Sequence, residues 1–191
     1  MKRKILYLAC IIFLFNSEFQ AQNIIKPENG YSPQTGVLIS MLEDLKERVT
    51  QSVENLDQND VDFLMDDKAN RIGAMILHLA ATEKYYQVFT FENRGFNEKE
   101  KGKWLMPLEL GNSARDELIN KPIRYYLDIW IDVRNETLEL LKTKDDKWLN
   151  SKIEKTNMNN HWAWYHVMEH QANHLGQIRL VMNRIPYKQT E

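Results

Sequence analysis

The sequence predicts an all-α protein, a four-helix bundle with one long crossover connection. Three observations lead there. Apolar residues recur at three- and four-residue steps through four long segments, the period of a helix with one buried face. Those segments are rich in Leu, Met, Glu, Lys and Arg, which are good helix formers. Only 7 Gly and 5 Pro occur in 191 residues, few for a β chain that must turn often. With 43% hydrophobic residues the chain can bury one core, and its length suits one domain.

The first helix is expected from Thr35, where Leu38, Met41, Leu42, Leu45, Val49, Val53 and Leu56 mark one apolar face before "DQND" breaks it. A second runs from about Lys68 to Phe91. Its stripe is Ile72, Met75, Ile76, Leu79 and Tyr86, with Arg71, Ala74, His78, Thr82, Tyr85 and Phe89 beside it. From Glu92 to Lys121 the chain is charged, holds three Gly and Pro107, and keeps no period beyond short helical pieces. A connection this long within one domain is usually functional or mobile, and it is expected to form part of a pocket wall. The third helix starts near Pro122, a residue suited to a first turn, and carries Ile123, Tyr126, Leu127, Trp130, Val133, Thr137, Leu140 and Leu141. The last runs from about His161 to Ile185 and buries Trp164, Met168, Leu175, Ile178 and Met182, with Pro186 after its end. Four such helices pack most simply as a bundle.

Ahead of this domain, Lys2, Arg3 and Lys4 precede an apolar run from Ile5 to Phe15, and the polar "NSEFQAQ" follows. That is the layout of a secretory signal peptide over residues 1–21, cleaved after Ala21, with a leader over 22–34 and the folded domain over 35–187. The run is too short for a permanent span, so no stable membrane anchor is expected after cleavage. A lipoprotein site at Cys10 fits less well, because the cysteine lies inside the apolar run. The mature protein is then secreted or periplasmic. Cleavage turns 25 basic and 27 acidic residues into 22 and 26, a net charge of −4, and removes the only cysteine. No basic stripe remains for nucleic acid. Without a thiolate, any metal must be held by His, Asp or Glu.

Three of the five histidines, His166, His170 and His174, stand four residues apart in "WYHVMEHQANHLGQ". That spacing stacks them on one helix face, as a metal site, a proton-handling site or a polar piece of packing. Two imidazoles at i and i+4 can reach one ion. All three cannot, since His166 and His174 stand about 12 Å apart along the axis. One outer histidine must play another part, and a third ligand should come from a different helix. His78, alone among apolar neighbours, is the candidate. Glu83 and Glu169 read as members of solvated faces, and His161 as a surface residue. Gln177 is placed to bond a ligand imidazole, and Gly176 suits close approach of another element. Tyr85, Tyr86, Tyr125, Tyr126, Trp162 and Trp164 read as packing or as a substrate box.

"RIGAMILHLAATEKYY", followed about ninety residues later by "WYHVMEHQANHLGQIRLVMNRI", resembles the DinB-like superfamily from about Thr35 to Ile185. The carriers of the resemblance are the helix-2 histidine and the H-x-x-x-H-x-G-Q block. It implies a four-helix bundle holding one divalent metal (Zn, Ni, Fe or Mn) through His78, His170 and His174. His166 then lines the pocket, where it would act on substrate as a proton shuttle. Three protein ligands leave coordination positions open, the layout of a catalytic site. The characterised enzymes of the superfamily are largely transferases or isomerases using low-molecular-weight thiols. An exported protein meets little reduced thiol, which favours hydrolysis of a small-molecule substrate over thiol transfer. The alternatives are a non-catalytic metal-binding protein and a homodimeric interaction protein whose metal stabilises the helices.

Overall fold

The structure, a computed structural model, describes residues 24–186. The expected signal peptide and Cys10 lie outside the described residues. Among those residues the fold is all-helical, with eight helices and no strand. Four are long: α1 (Pro33–Val53), α3 (Ile72–Glu92), α6 (Ile123–Lys142) and α8 (Asn160–Met182). Four are short: α2 (Gln58–Val61), α4 (Glu98–Glu109), α5 (Gly111–Glu117) and α7 (Asp146–Asn150). Helix α3 is central and packs against α4, α6 and α8, while α1 packs against α6, α7 and α8. None of these helices is long and apolar enough to cross a membrane.

The helix ends follow local chemistry. Asp57 caps α2 with a reciprocal capping box, so the "DQND" segment both ends one helix and begins another. Helix α3 begins four residues later than periodicity suggests. Asp66 Oδ1 accepts from Lys68 N and Ala69 N, both at 2.8 Å, and holds that segment as a turn before Arg71, the cap residue. Asn93 ends α3 in the left-handed conformation, φ 52°. Ser32 gives α1 no side-chain cap of its own. Asp146 of α7 supplies it instead, accepting from Gln34 N at 3.0 Å and Thr35 N at 3.2 Å. In the leader, Pro27 and Glu28 cross the first turn of α1 so closely that a Cβ on Gly36 would lie 2.8 Å from Glu28 N.

The segment expected to be largely irregular, Glu92–Lys121, is mostly helical. An Asn97–Glu100 capping box starts α4, and Leu110, at φ 58°, breaks the chain between α4 and α5. Neither helix shows a clean period because each is short and only α4 packs broadly on α3. Trp104 and Pro107 are its buried residues. One apolar cluster draws on every helix except α7 and centres on Tyr126, Trp130, Ile76 and Ile178, and a second joins α1, α6, α7 and α8 around Trp164.

Candidate metal centre

Helices α3 and α8 run antiparallel along a shared seam, and the histidines lie in it. His78 from α3 meets both His170 and His174 from α8, with ring centroids 4.8 Å apart in each case. His78 Nε2 lies 3.1 Å from His170 Nε2, which lies 3.2 Å from His174 Nε2. These three residues form a possible metal-holding group, with ligand atoms all within 4.8 Å of one another.

The far side of His78 is fixed by the end of α4. A helix leaves its last carbonyls without intrahelical donors, and Pro107 is two residues from the end of this one. Its carbonyl oxygen lies 3.0 Å from His78 Nδ1. A carbonyl only accepts, so Nδ1 carries the proton and Nε2 presents a lone pair to the cluster. Burial lowers the His78 pKa, against a smaller upward pull from the Pro107 and Leu108 carbonyls. Burial, then repulsion from His174, His78 and His166, brings His170 down to about 3. His174 falls to about 4, through burial and then His78, with Gln177 beside it opposing the shift. All three are therefore neutral imidazoles near neutral pH, the form that binds metal.

Does this set fit a divalent ion? Tetrahedral bonds of about 2.05 Å place ligand nitrogens about 3.3 Å apart, close to the two separations His170 Nε2 makes, with all three ligand atoms within 4.8 Å. The Nδ1 atoms of His170 and His174 are buried without a well-formed hydrogen bond, Gln177 being the neighbour of the latter. Three neutral nitrogens converging on one point suit a first-row divalent cation.

Other candidate residues are placed differently. His166, one turn before His170, stacks on Trp162 (5.3 Å, 8° between planes), meets Tyr86 edge-on at 5.8 Å, and lies 5.9 Å from the His170 ring. Its Nδ1 is 3.3 Å from Glu169 Oε2. Trp162 is 47% exposed and borders a cavity of about 420 Å³ lined also by Lys152, Asn157, Met158 and Asn159. Of the aromatic group, Trp162 and Tyr86 alone touch His166. Tyr126 and Trp164 are core residues, Tyr125 is exposed, and Tyr85 stacks on Phe89. Gln177 stands beside His174 and pulls its pKa upward, but in a geometry too loose to satisfy Nδ1 fully. A Cβ on Gly176 would meet nothing within 4 Å, so no described element approaches there.

Glu83 reverses its expected reading. It is 0% exposed and anchors a buried network beside the seam. Its carboxylate accepts from Arg134 Nε at 2.7 Å and Nη2 at 2.9 Å, Trp130 Nε1 at 3.0 Å, Thr137 Oγ1 at 2.6 Å and Gln171 Nε2 at 3.2 Å. Arg134 also donates to Leu42 O and Glu43 Oε1 of α1, so the network touches all four long helices. Burial alone would raise the Glu83 pKa, but Arg134 and the hydrogen bonds hold it below the usual range. The sequence carried a signal for this: Arg134 follows Trp130 by four and Leu127 by seven, on an otherwise apolar face.

The sequence model of the mycothiol-S-transferase family matches residues 37–185, most of the chain. The chain belongs to that family. Mycothiol-S-transferases are DinB-like, in agreement with the histidine pattern. No curated protein matches the sequence. The match spans all three converging histidines, so they lie within the mycothiol-S-transferase region itself.

Proposed function

We propose that the chain is a metal-dependent transferase of the four-helix-bundle type, joining a low-molecular-weight thiol to a small electrophile. The observation that carries this reading is the convergence of His78, His170 and His174 Nε2 atoms in a mycothiol-S-transferase chain. A bound divalent ion (Zn, Ni, Fe or Mn) would supply Lewis acidity, drawing down the pKa of a thiol or water delivered to its open side. His78, His170 and His174 would hold it, with the His78 ring locked by Pro107 O. His166, braced by Trp162 and Glu169, would take up the thiol proton as the sulfur bonds to the electrophile and its leaving group departs.

A second reading is favoured by residues 1–21. If that segment exports the protein to a secreted or periplasmic location, little reduced thiol is at hand and water becomes the nucleophile in a hydrolysis. A homodimer belongs to either reading and is checked by sedimentation. The test compares full-length wild type, His170→Ala and His166→Ala for metal content and turnover. Substrates are a chlorodinitrobenzene with added thiol and a nitrophenyl ester without it. About one equivalent of metal in wild type and His166→Ala, but none in His170→Ala, supports the centre. Thiol-dependent turnover lost in His166→Ala supports transfer, and ester cleavage alone supports hydrolysis. Full loading with neither activity supports a non-catalytic metal-binding role. No metal in any protein after reconstitution sinks the proposal.

A further inference from the structure

Two ladders of side chains face each other across the α3–α8 seam, each stepping by four residues. On α8 the rungs are His174, His170 and His166. On α3 they are His78, Thr82 and Tyr86. A step of four keeps side chains on one helix face. The outer α3 rungs have partners: His78 meets His170 and His174, and Tyr86 meets His166. Thr82 falls between them, opposite the interval from His166 to His170. The helices are close at this level, because the next residue, Glu83, accepts from Gln171, the residue after His170, at 3.2 Å.

Thr82 is 7% exposed, and its hydroxyl has no hydrogen-bond partner. Buried helical threonines ordinarily bond back to the carbonyl four residues earlier. Thr90 does so to Tyr86 O at 2.6 Å, and Thr137 to Val133 O at 3.2 Å while also donating to Glu83. Thr82 makes no such bond to His78 O. Its hydroxyl is thus left unsatisfied by its own helix, and a buried polar group without a partner destabilises the fold. A hydroxyl kept there at a cost to stability is explained if its partner arrives from outside the chain.

We propose that Thr82 is a ligand-binding residue. Its hydroxyl donates a hydrogen bond to the anionic atom, thiolate sulfur or oxyanion, that a small molecule presents to the open side of the three-histidine centre. The inference rests on the metal-site reading above. It specifies that ligands entering between His170 and His166 carry a lone-pair acceptor at their reacting end, with the remainder extending toward Tyr86 and Trp162.

The test uses full-length wild type, Thr82→Val and Thr82→Ser, each reconstituted with cobalt(II) and titrated with 2-mercaptoethanol or acetate. The visible spectrum reports binding. All three proteins should hold equal cobalt. Thr82→Val should bind the anion about tenfold more weakly, as loss of a charge-assisted hydrogen bond predicts, with Thr82→Ser within about twofold of wild type. Weakening for mercaptoethanol alone assigns the hydroxyl to a thiolate, and weakening for acetate alone assigns it to an oxyanion. The metal-free Thr82→Val protein should melt at or above the wild-type temperature, because an unpartnered buried hydroxyl has been removed. A fully loaded Thr82→Val protein with wild-type affinity overturns this proposal alone. So does loss of cobalt in that variant, or failure of loaded wild type to bind either anion. Wild type that takes up no cobalt overturns the metal-site reading together with it.

Discussion

Glu83 and Arg134, 51 positions apart in sequence, form an ion pair in which neither side chain reaches solvent, with Oε1 and Nε 2.7 Å apart. Such a pair is costly to desolvate and more costly to break. Arg134→Met leaves the Glu83 carboxylate buried and uncompensated and should destabilise the protein by about 3–5 kcal/mol. Adding Glu83→Gln should recover part of that loss. Urea denaturation of both single variants and the double variant measures the coupling. Additive losses would show that the two groups do not act as a unit.

The histidine cluster makes the metal-free protein sensitive to acid. His170 sits at about 3 and His174 at about 4 when folded, both below their ordinary value near 6.5. Between those values and about 6.5 the unfolded chain binds more protons than the folded one, so stability falls as pH drops through that window. Chemical denaturation of metal-stripped protein from pH 7.5 to 4 should show a falling midpoint. In His170→Ala the fall should be shallower, and an equally steep fall in that variant would refute the assignment.

Two glycines should respond oppositely to alanine. A Cβ on Gly73 would lie 2.4 Å from the Tyr126 ring, which is fully buried and has no room to retreat. Gly73→Ala should cost about 1–3 kcal/mol through overpacking. Gly176 lies exposed in the interior of α8 with nothing within 4 Å of a Cβ. Gly176→Ala should gain up to about 1 kcal/mol from helix propensity. Thermal melts of the two variants decide both.

Asp146 caps α1 from a different helix. Asp146→Ala should lower stability by about 1 kcal/mol. Because the cap bridges elements, the loss should appear as faster amide exchange in the first turn of α1 and in α7 alike. A loss confined to α7 would contradict the cross-helix role.

The long helices could be read from the sequence because each carries its own period. Leu38, Leu42, Leu45 and Val49 mark a face whatever they pack against. The histidine spacing on α8 was equally local, and His78 could be suspected because its neighbours are apolar. The Glu83 network could not be assigned in this way. Arg134 on an apolar face marks one member, but Glu83 and Gln171, read alone, have reasonable solvated explanations, and only the meeting of α1, α3, α6 and α8 makes them partners. The α4–α5 segment was obscured for another reason. Its helices are set by capping boxes, by packing on α3 and by the left-handed Leu110, none of which leaves a repeating pattern.

The carbonyl that steadies His78 comes from Pro107, near the end of α4. Successive residues in a helix are rotated by about 100°, so one residue inserted between Trp104 and Pro107 would swing that oxygen off the imidazole. Connections between long helices usually tolerate changes in length better than changes in the core. Here the tolerance runs the other way. The count of residues in α4 is as much a part of the histidine cluster as the imidazole it steadies, and an insertion there should be felt at His78 before it is felt in the fold.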